Sequence, residues 1–171
     1  MPSSSEALLL ADPGPRGGRD RPRGAEGRVS PIPWAPMLYL PDAVYEQMLG
    51  HCLAGLPEEA CGLLGGDPAT GETVKCYPTA NLAASAKLYT VDPLDHLRAD
   101  RDAESLGMEI IGVFHSHTHT DAYPSPTDVA QAPDPSWHYV LVSLRETHPV
   151  LRSYRIVDGR ISEEQVVLDN R

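Results

Sequence analysis

At 171 residues the chain is long enough for one domain with a substantial buried core. A composition of 41% hydrophobic and 22% charged residues excludes wholesale disorder. The net charge of −10 argues against a nucleic-acid binder, whose surface is ordinarily basic. No apolar run approaches the roughly 20 residues that span a bilayer. The start shows no signal peptide: "ALLLA" is too short for its apolar core, and no basic stretch precedes it. Three cysteines, Cys52, Cys61 and Cys76, form no CxxC pair, which suits a reduced, cytoplasmic protein better than a disulfide framework.

Residues 1–36 read as a disordered tail. They are rich in Pro, Gly and Arg and lack apolar periodicity, so they bury too little to offset the entropy of ordering. The tail holds five arginines and four acids, which leaves residues 37–171 with 9 basic and 20 acidic groups, about −11. Met37 opens the ordered-looking region and is a candidate for the true start.

From there helical and strand patterns alternate. In "PDAVYEQMLGHCLAGL" the residues Val44, Met48, Cys52 and Leu56 recur every four positions, which predicts a helix with one apolar face. "EACGLLGG" predicts a buried strand ended by a glycine pair, and "ETVKCYPTAN" and "AKLYTVD" predict further strands. "DPLDHLRADRDAESLG" predicts a second helix, with Asp92 as N-cap, Pro93 in the first turn and Gly107 as terminator. "MEIIGVFHSH" is a β-branched central strand; "WHYVLVSL", "PVLRSYRIVDG" and "RISEEQVVL" are late strands, the last two joined by a hairpin turn at Asp158-Gly159. The fold class is α/β, a single domain over 37–171 with a mixed β-sheet flanked by helices.

Chemistry concentrates in "HSHTHTDAYPSPTD", residues 115–128. On a strand, His115 and His117 point to the same face. Ser125-Pro126-Thr127-Asp128 has the form of a helix start, with Ser125 as N-cap and Asp128 three positions on. Folded back over the strand end, Asp128 offers an oxygen ligand, and two imidazoles with one carboxylate leave a fourth position open, the pattern of catalytic zinc. Taken alone, the H-x-H pair is a weak signal that better suits a polar surface, and Ser125 with Asp128 could simply form a capping box. His119 lies in a Thr/Asp/Tyr/Pro loop and is read as a non-ligand; Asp121 is read as a loop residue. Cys61, in an apolar strand, is read as a buried structural thiol.

A hydrolytic zinc also needs a general base, and Glu59 is a carboxylate at the head of a buried strand. Glu59-Ala-Cys-Gly, the H-S-H triplet and P-S-x-x-D in the pattern H-x-H-x10-D together resemble the JAMM/MPN+ zinc metalloprotease signature. The resemblance covers about 38–168. Many members carry Pro after the second histidine, where this chain has Thr118; that departure points away from eukaryotic deubiquitinases. "HSHT", "AYPSPTDV", "HYVLVSLR" and "LRSYRIVDG" resemble the bacterial branch that removes cysteine from a ubiquitin-like sulfur carrier of the CysO kind.

The resemblance implies a cytidine deaminase-like arrangement and a zinc ion (Zn2+) held by His115, His117 and Asp128. It implies Glu59 as general base and then acid, and Ser125 as hydrogen-bond donor to the oxyanion. The implied partner is a ubiquitin-like sulfur-carrier protein ending in Gly-Gly, its tail adding as a strand to a sheet edge beside the site. The sequence sets no oligomeric state and allows a homodimer. Rival readings are a carrier-trimming peptidase, a non-catalytic MPN scaffold and a RadC-like protein, though RadC-like chains tend to carry Asn where Ser116 stands. Zinc deaminases are excluded by the lack of H-x-E and P-C-x-x-C.

Overall fold

The structure, a computed structural model, describes residues 37–169. The expected tail at 1–36 lies outside them. Seven strands and three helices follow one another as β1 (Met37–Pro41), α1 (Asp42–Ala54), β2 (Cys61–Asp67), β3 (Glu72–Thr79), α2 (Pro93–Ser105), β4 (Glu109–His117), α3 (Pro126–Gln131), β5 (His138–Ser143), β6 (Val150–Val157) and β7 (Arg160–Asp169). The sheet is mixed and flanked by helices, as expected, and it closes into a barrel in the order β1-β3-β2-β4-β5-β6-β7. The parallel neighbours are β4 with β5 and β1 with both β3 and β7; the remaining pairs are antiparallel.

Strand β4 is the axis of the molecule. Residues 110–117 are all buried, because apolar clusters lie on both faces. On one face Phe114 joins Leu64, Val140 and Val142 against Met48 and Cys52 of α1. On the other, Val113 joins Leu63, Leu141 and Tyr154 against Ala99 and Ala103 of α2. Gly112 admits the parallel neighbour: a Cβ there would stand 2.5 Å from the His138 carbonyl oxygen.

Local signals place the helices. The Asp92 carboxylate accepts from the Leu94 amide at 2.7 Å and caps α2, which ends before Gly107 at φ +72°. Asp158 (φ 50°) and Gly159 (φ 75°) form the left-handed pair that a tight β6–β7 hairpin needs. No helix among the described residues is long and apolar enough to cross a membrane. Cys52, Cys61 and Cys76 are free and buried.

Two expectations change. Leu56 does not extend the buried face of α1; it lies beyond the helix end and is exposed. Strand β1 does not stand out in the sequence. "AKLYTVD" is not a strand: residues 80–92 form an irregular loop with one bridge, Asn81 to Val91. The reason is local competition, since the Asn81 side chain takes the Leu88 carbonyl and the Thr90 amide that a ladder would use. Beside the histidines, β4 is paired with β5 as far as His117 but with β2 only as far as His115.

Candidate metal centre

The C-terminal end of β4 carries His115 and His117 to one face, as alternation requires, with His115 in register with Cys61 of β2 and Leu141 of β5. The chain then loops to α3, whose start is a complete capping box. The Ser125 hydroxyl accepts from the Asp128 amide at 3.2 Å, and the Asp128 carboxylate accepts from the Ser125 amide at 2.6 Å. This cap swings Asp128 over the strand end. All three side chains are buried.

Their ligand atoms converge. His115 Nε2 and His117 Nε2 are 3.1 Å apart, and each lies 3.5 Å from an Asp128 carboxylate oxygen. Ligands at about 2.0–2.1 Å around a tetrahedral zinc are separated by about 3.3 Å, and the His115–His117 spacing is close to that, while the two histidines approach different oxygens of Asp128. The three ligand atoms lie within 4.8 Å of one another, and a cation among them would relieve the crowding of their lone pairs.

The surrounding groups prepare the ligands. Burial pulls the His115 imidazole below its usual range, toward the neutral form a metal requires. Tyr89 stacks on its ring, with centroids 4.2 Å apart and planes 21° from parallel. His117 Nδ1 lies 2.8 Å from the Asp121 carbonyl oxygen and donates to it, which turns the Nε2 lone pair toward the convergence point. Burial works against the charged form of His117, but its neighbours Asp128, Asp121 and Glu59 outweigh it and raise the group. Asp128 shows the mirror image: burial raises its pKa, yet the two histidines hold the carboxylate well below its ordinary range.

Glu59 is only 5% exposed, immediately before β2, and it interacts electrostatically with His117 and Asp128. Among the described residues its carboxylate makes no hydrogen bond. Burial pushes its pKa up to about 7; His117 lowers it and Asp128 raises it. A carboxyl so tuned can take a proton and return it near neutrality. The half-buried Ser125 hydroxyl accepts from the Asp128 amide in its cap and also helps hold the Asp128 carboxylate low.

His119 is exposed and stands outside the cluster. Cys61 Sγ contacts Thr79 Oγ1 at 3.4 Å, and burial raises its pKa, which keeps it a thiol. The part played by Asp121 escapes sequence reasoning because it is played by a backbone carbonyl; its side chain pairs with Arg145 at 2.9 Å. Tyr89 is missed as well, since only the loop that replaces the expected strand brings it against His115.

The family model described as prokaryotic homologs of the JAB domain matches residues 41–157. A protein of Mycobacterium tuberculosis named CysO-cysteine peptidase is 42% identical over 120 residues, 70% of this chain and 82% of that protein. A probable TtuB-protein conjugate cleaving protease of Thermus thermophilus is 33% identical over 97 residues, 56% of this chain and 64% of that protein. Among solved structures, a protein from Desulfitobacterium hafniense superposes with a TM-score of 0.73 at 38% identity, covering 79% of this chain and 94% of that one.

Proposed function

This chain belongs to the prokaryotic JAB-domain family, and from that premise we propose that it is a zinc-dependent, JAMM-type hydrolase of sulfur-carrier conjugates. The bond cleaved joins the C-terminal glycine of a CysO-like carrier to cysteine, so that hydrolysis releases L-cysteine and regenerates the carrier in the cytoplasm. The relative named CysO-cysteine peptidase supports the substrate class. The observation that carries the chemistry is the pairing of three converging ligand atoms with a buried carboxyl free of hydrogen bonds.

His115, His117 and Asp128 would hold the metal. When bound, zinc supplies Lewis acidity to the scissile carbonyl and lowers the pKa of water toward 7. Glu59 accepts a proton from the attacking water and delivers it to the departing amine. Ser125 donates its O–H to the oxyanion while its lone pair keeps the α3 cap. Tyr89 holds the His115 ring in place by stacking and shields that side from water.

The direct test is to incubate the protein with a carrier ending in Gly-Gly-Cys and follow loss of one cysteine by mass. Cleavage that disappears with a chelator and returns with zinc is the expected result. A second reading has this site release carriers from proteins, or trim an extension to expose Gly-Gly; the Thermus relative, by its name, favours the former. Cleavage of such a conjugate with the Gly-Gly-Cys carrier left intact would establish it. Purified protein that binds no zinc would return the chain to the scaffold reading.

A further inference from the structure

Among the described residues the Glu59 carboxylate has no hydrogen bond, so its direction depends on the backbone that carries it. That backbone precedes the ladder, which begins only at Cys61, opposite Thr79 and His115. The peptide group between Glu59 and Ala60 is instead gripped by two side chains from distant parts of the chain. Its carbonyl oxygen accepts from Asn81 Nδ2 at 2.8 Å, and its N–H donates to Ser116 Oγ at 2.8 Å. The flanking groups are tied too: the Glu59 amide donates to the Ser85 carbonyl at 2.8 Å, and the Ser116 amide donates to the Ala60 carbonyl at 2.9 Å.

Both side chains are well anchored. Ser116 is fully buried on β4 between the two histidines, and alternation turns it to the opposite face. Asn81 uses all its remaining amide capacity within its own loop, donating to Leu88 O at 3.1 Å and accepting from Ala83 N at 3.0 Å and Thr90 N at 2.9 Å. That loop also supplies Ser85 to Glu59 and Tyr89 to His115. A side chain from the ligand strand and one from the loop therefore fix a single peptide plane, and with it the ψ angle of Glu59.

We propose that Asn81 and Ser116 are positioning residues, which hold the Glu59–Ala60 peptide plane from its two sides and so aim the carboxylate at the point where His115, His117 and Asp128 converge. The inference rests on Glu59 as the general base. It makes Ser116 more than a spacer between two ligands, and it gives the irregular loop a task.

The test uses the full zinc-loaded chain and the carrier substrate that wild type cleaves. Ser116→Ala deletes one grip; Asn81→Asp replaces the donor with an acceptor facing the Glu59 carbonyl, keeps the bonds from the Ala83 and Thr90 amides, and also gives up the bond to the Leu88 carbonyl. Each is expected to lower kcat by about 10- to 100-fold, the scale of a small misplacement of a reacting group. KM and zinc content stay at wild-type values, and Ser116→Thr, which retains the hydroxyl, recovers turnover. In a Glu59→Gln background neither substitution lowers residual turnover further, because both act through Glu59. A merely structural role would instead add its loss in that background. Unchanged kcat in folded Asn81→Asp and Ser116→Ala, or a loss that tracks zinc content or KM, would overturn the proposal. Should Ser116→Ala fail to fold, Asn81→Asp decides. Normal turnover by Glu59→Gln sinks the general-base reading itself; a dead Glu59→Gln beside fully active clamp variants sinks the clamp alone.

Discussion

Two buried histidine–carboxylate clusters lie in this barrel, and they are built to opposite ends. In the first, His138 Nδ1 meets Glu164 Oε1 at 2.7 Å, Ser153 donates to the same oxygen at 2.6 Å, and Arg155 Nε reaches Oε2 at 3.1 Å. Each group answers another, and the charges are balanced by the guanidinium. In the second, the Nε2 atoms of His115 and His117 lie 3.1 Å apart and each is 3.5 Å from a different Asp128 carboxylate oxygen, while Glu59 makes no side-chain hydrogen bond among the described residues. The first cluster ties β5, β6 and β7 together. The second gathers side chains of β4 and α3 that could hold a metal ion. Burial of polar groups is therefore a poor guide to function; whether their hydrogen bonding closes on itself is the better one.

The comparison can be broken most forcefully at its two carboxylates. Glu59→Gln should lower kcat by about 10²–10⁴, the usual worth of a general base, with thermal stability and zinc content held. Steady-state kinetics beside atomic absorption would show it, and wild-type turnover would erase the distinction. Glu164→Ala should do the reverse. Removing one partner of a buried ion pair costs about 3–5 kcal/mol of stability, visible in a melting curve, while kcat per folded molecule is preserved.

Ser125 sharpens the contrast because it serves both stability and chemistry. Ser125→Ala should cost about 1 kcal/mol of stability through the lost cap and about 10²–10³ in kcat through the lost oxyanion donor. Loss of stability with unchanged kcat would leave it a cap alone. The smallest effect is expected at Gly112→Ala, where the new Cβ meets the His138 carbonyl. Overpacking of this kind costs about 1–3 kcal/mol, and chemical denaturation would measure it.

What the sequence makes legible is what is local. Asp92 and Ser125 announce their helices because caps act within three residues, and His115 and His117 share a face because alternation is a property of any strand. The convergence of Asp128 follows from its own cap. Less visible is whatever depends on distant partners. Asn81 looks like an ordinary turn residue until its amide is seen on Glu59, 22 positions away. His138 and Glu164 are 26 positions apart and carry no motif. Strand β1 is five residues ending in proline, and its register with Gln165 to Asp169 is not foreshadowed by any local pattern.

That last pairing has a consequence for how the protein is made. Leu38 and Leu40, among the first described residues to leave the ribosome, lie in β1, whose long ladder is with Val166 and Leu168 of β7. Contacts so far apart in sequence form late. A nascent chain that has already emerged past Asp128 thus holds all five candidate site residues while its barrel is still open. Only arrival of the last strand shuts the cylinder, after every residue of the candidate site has already been made.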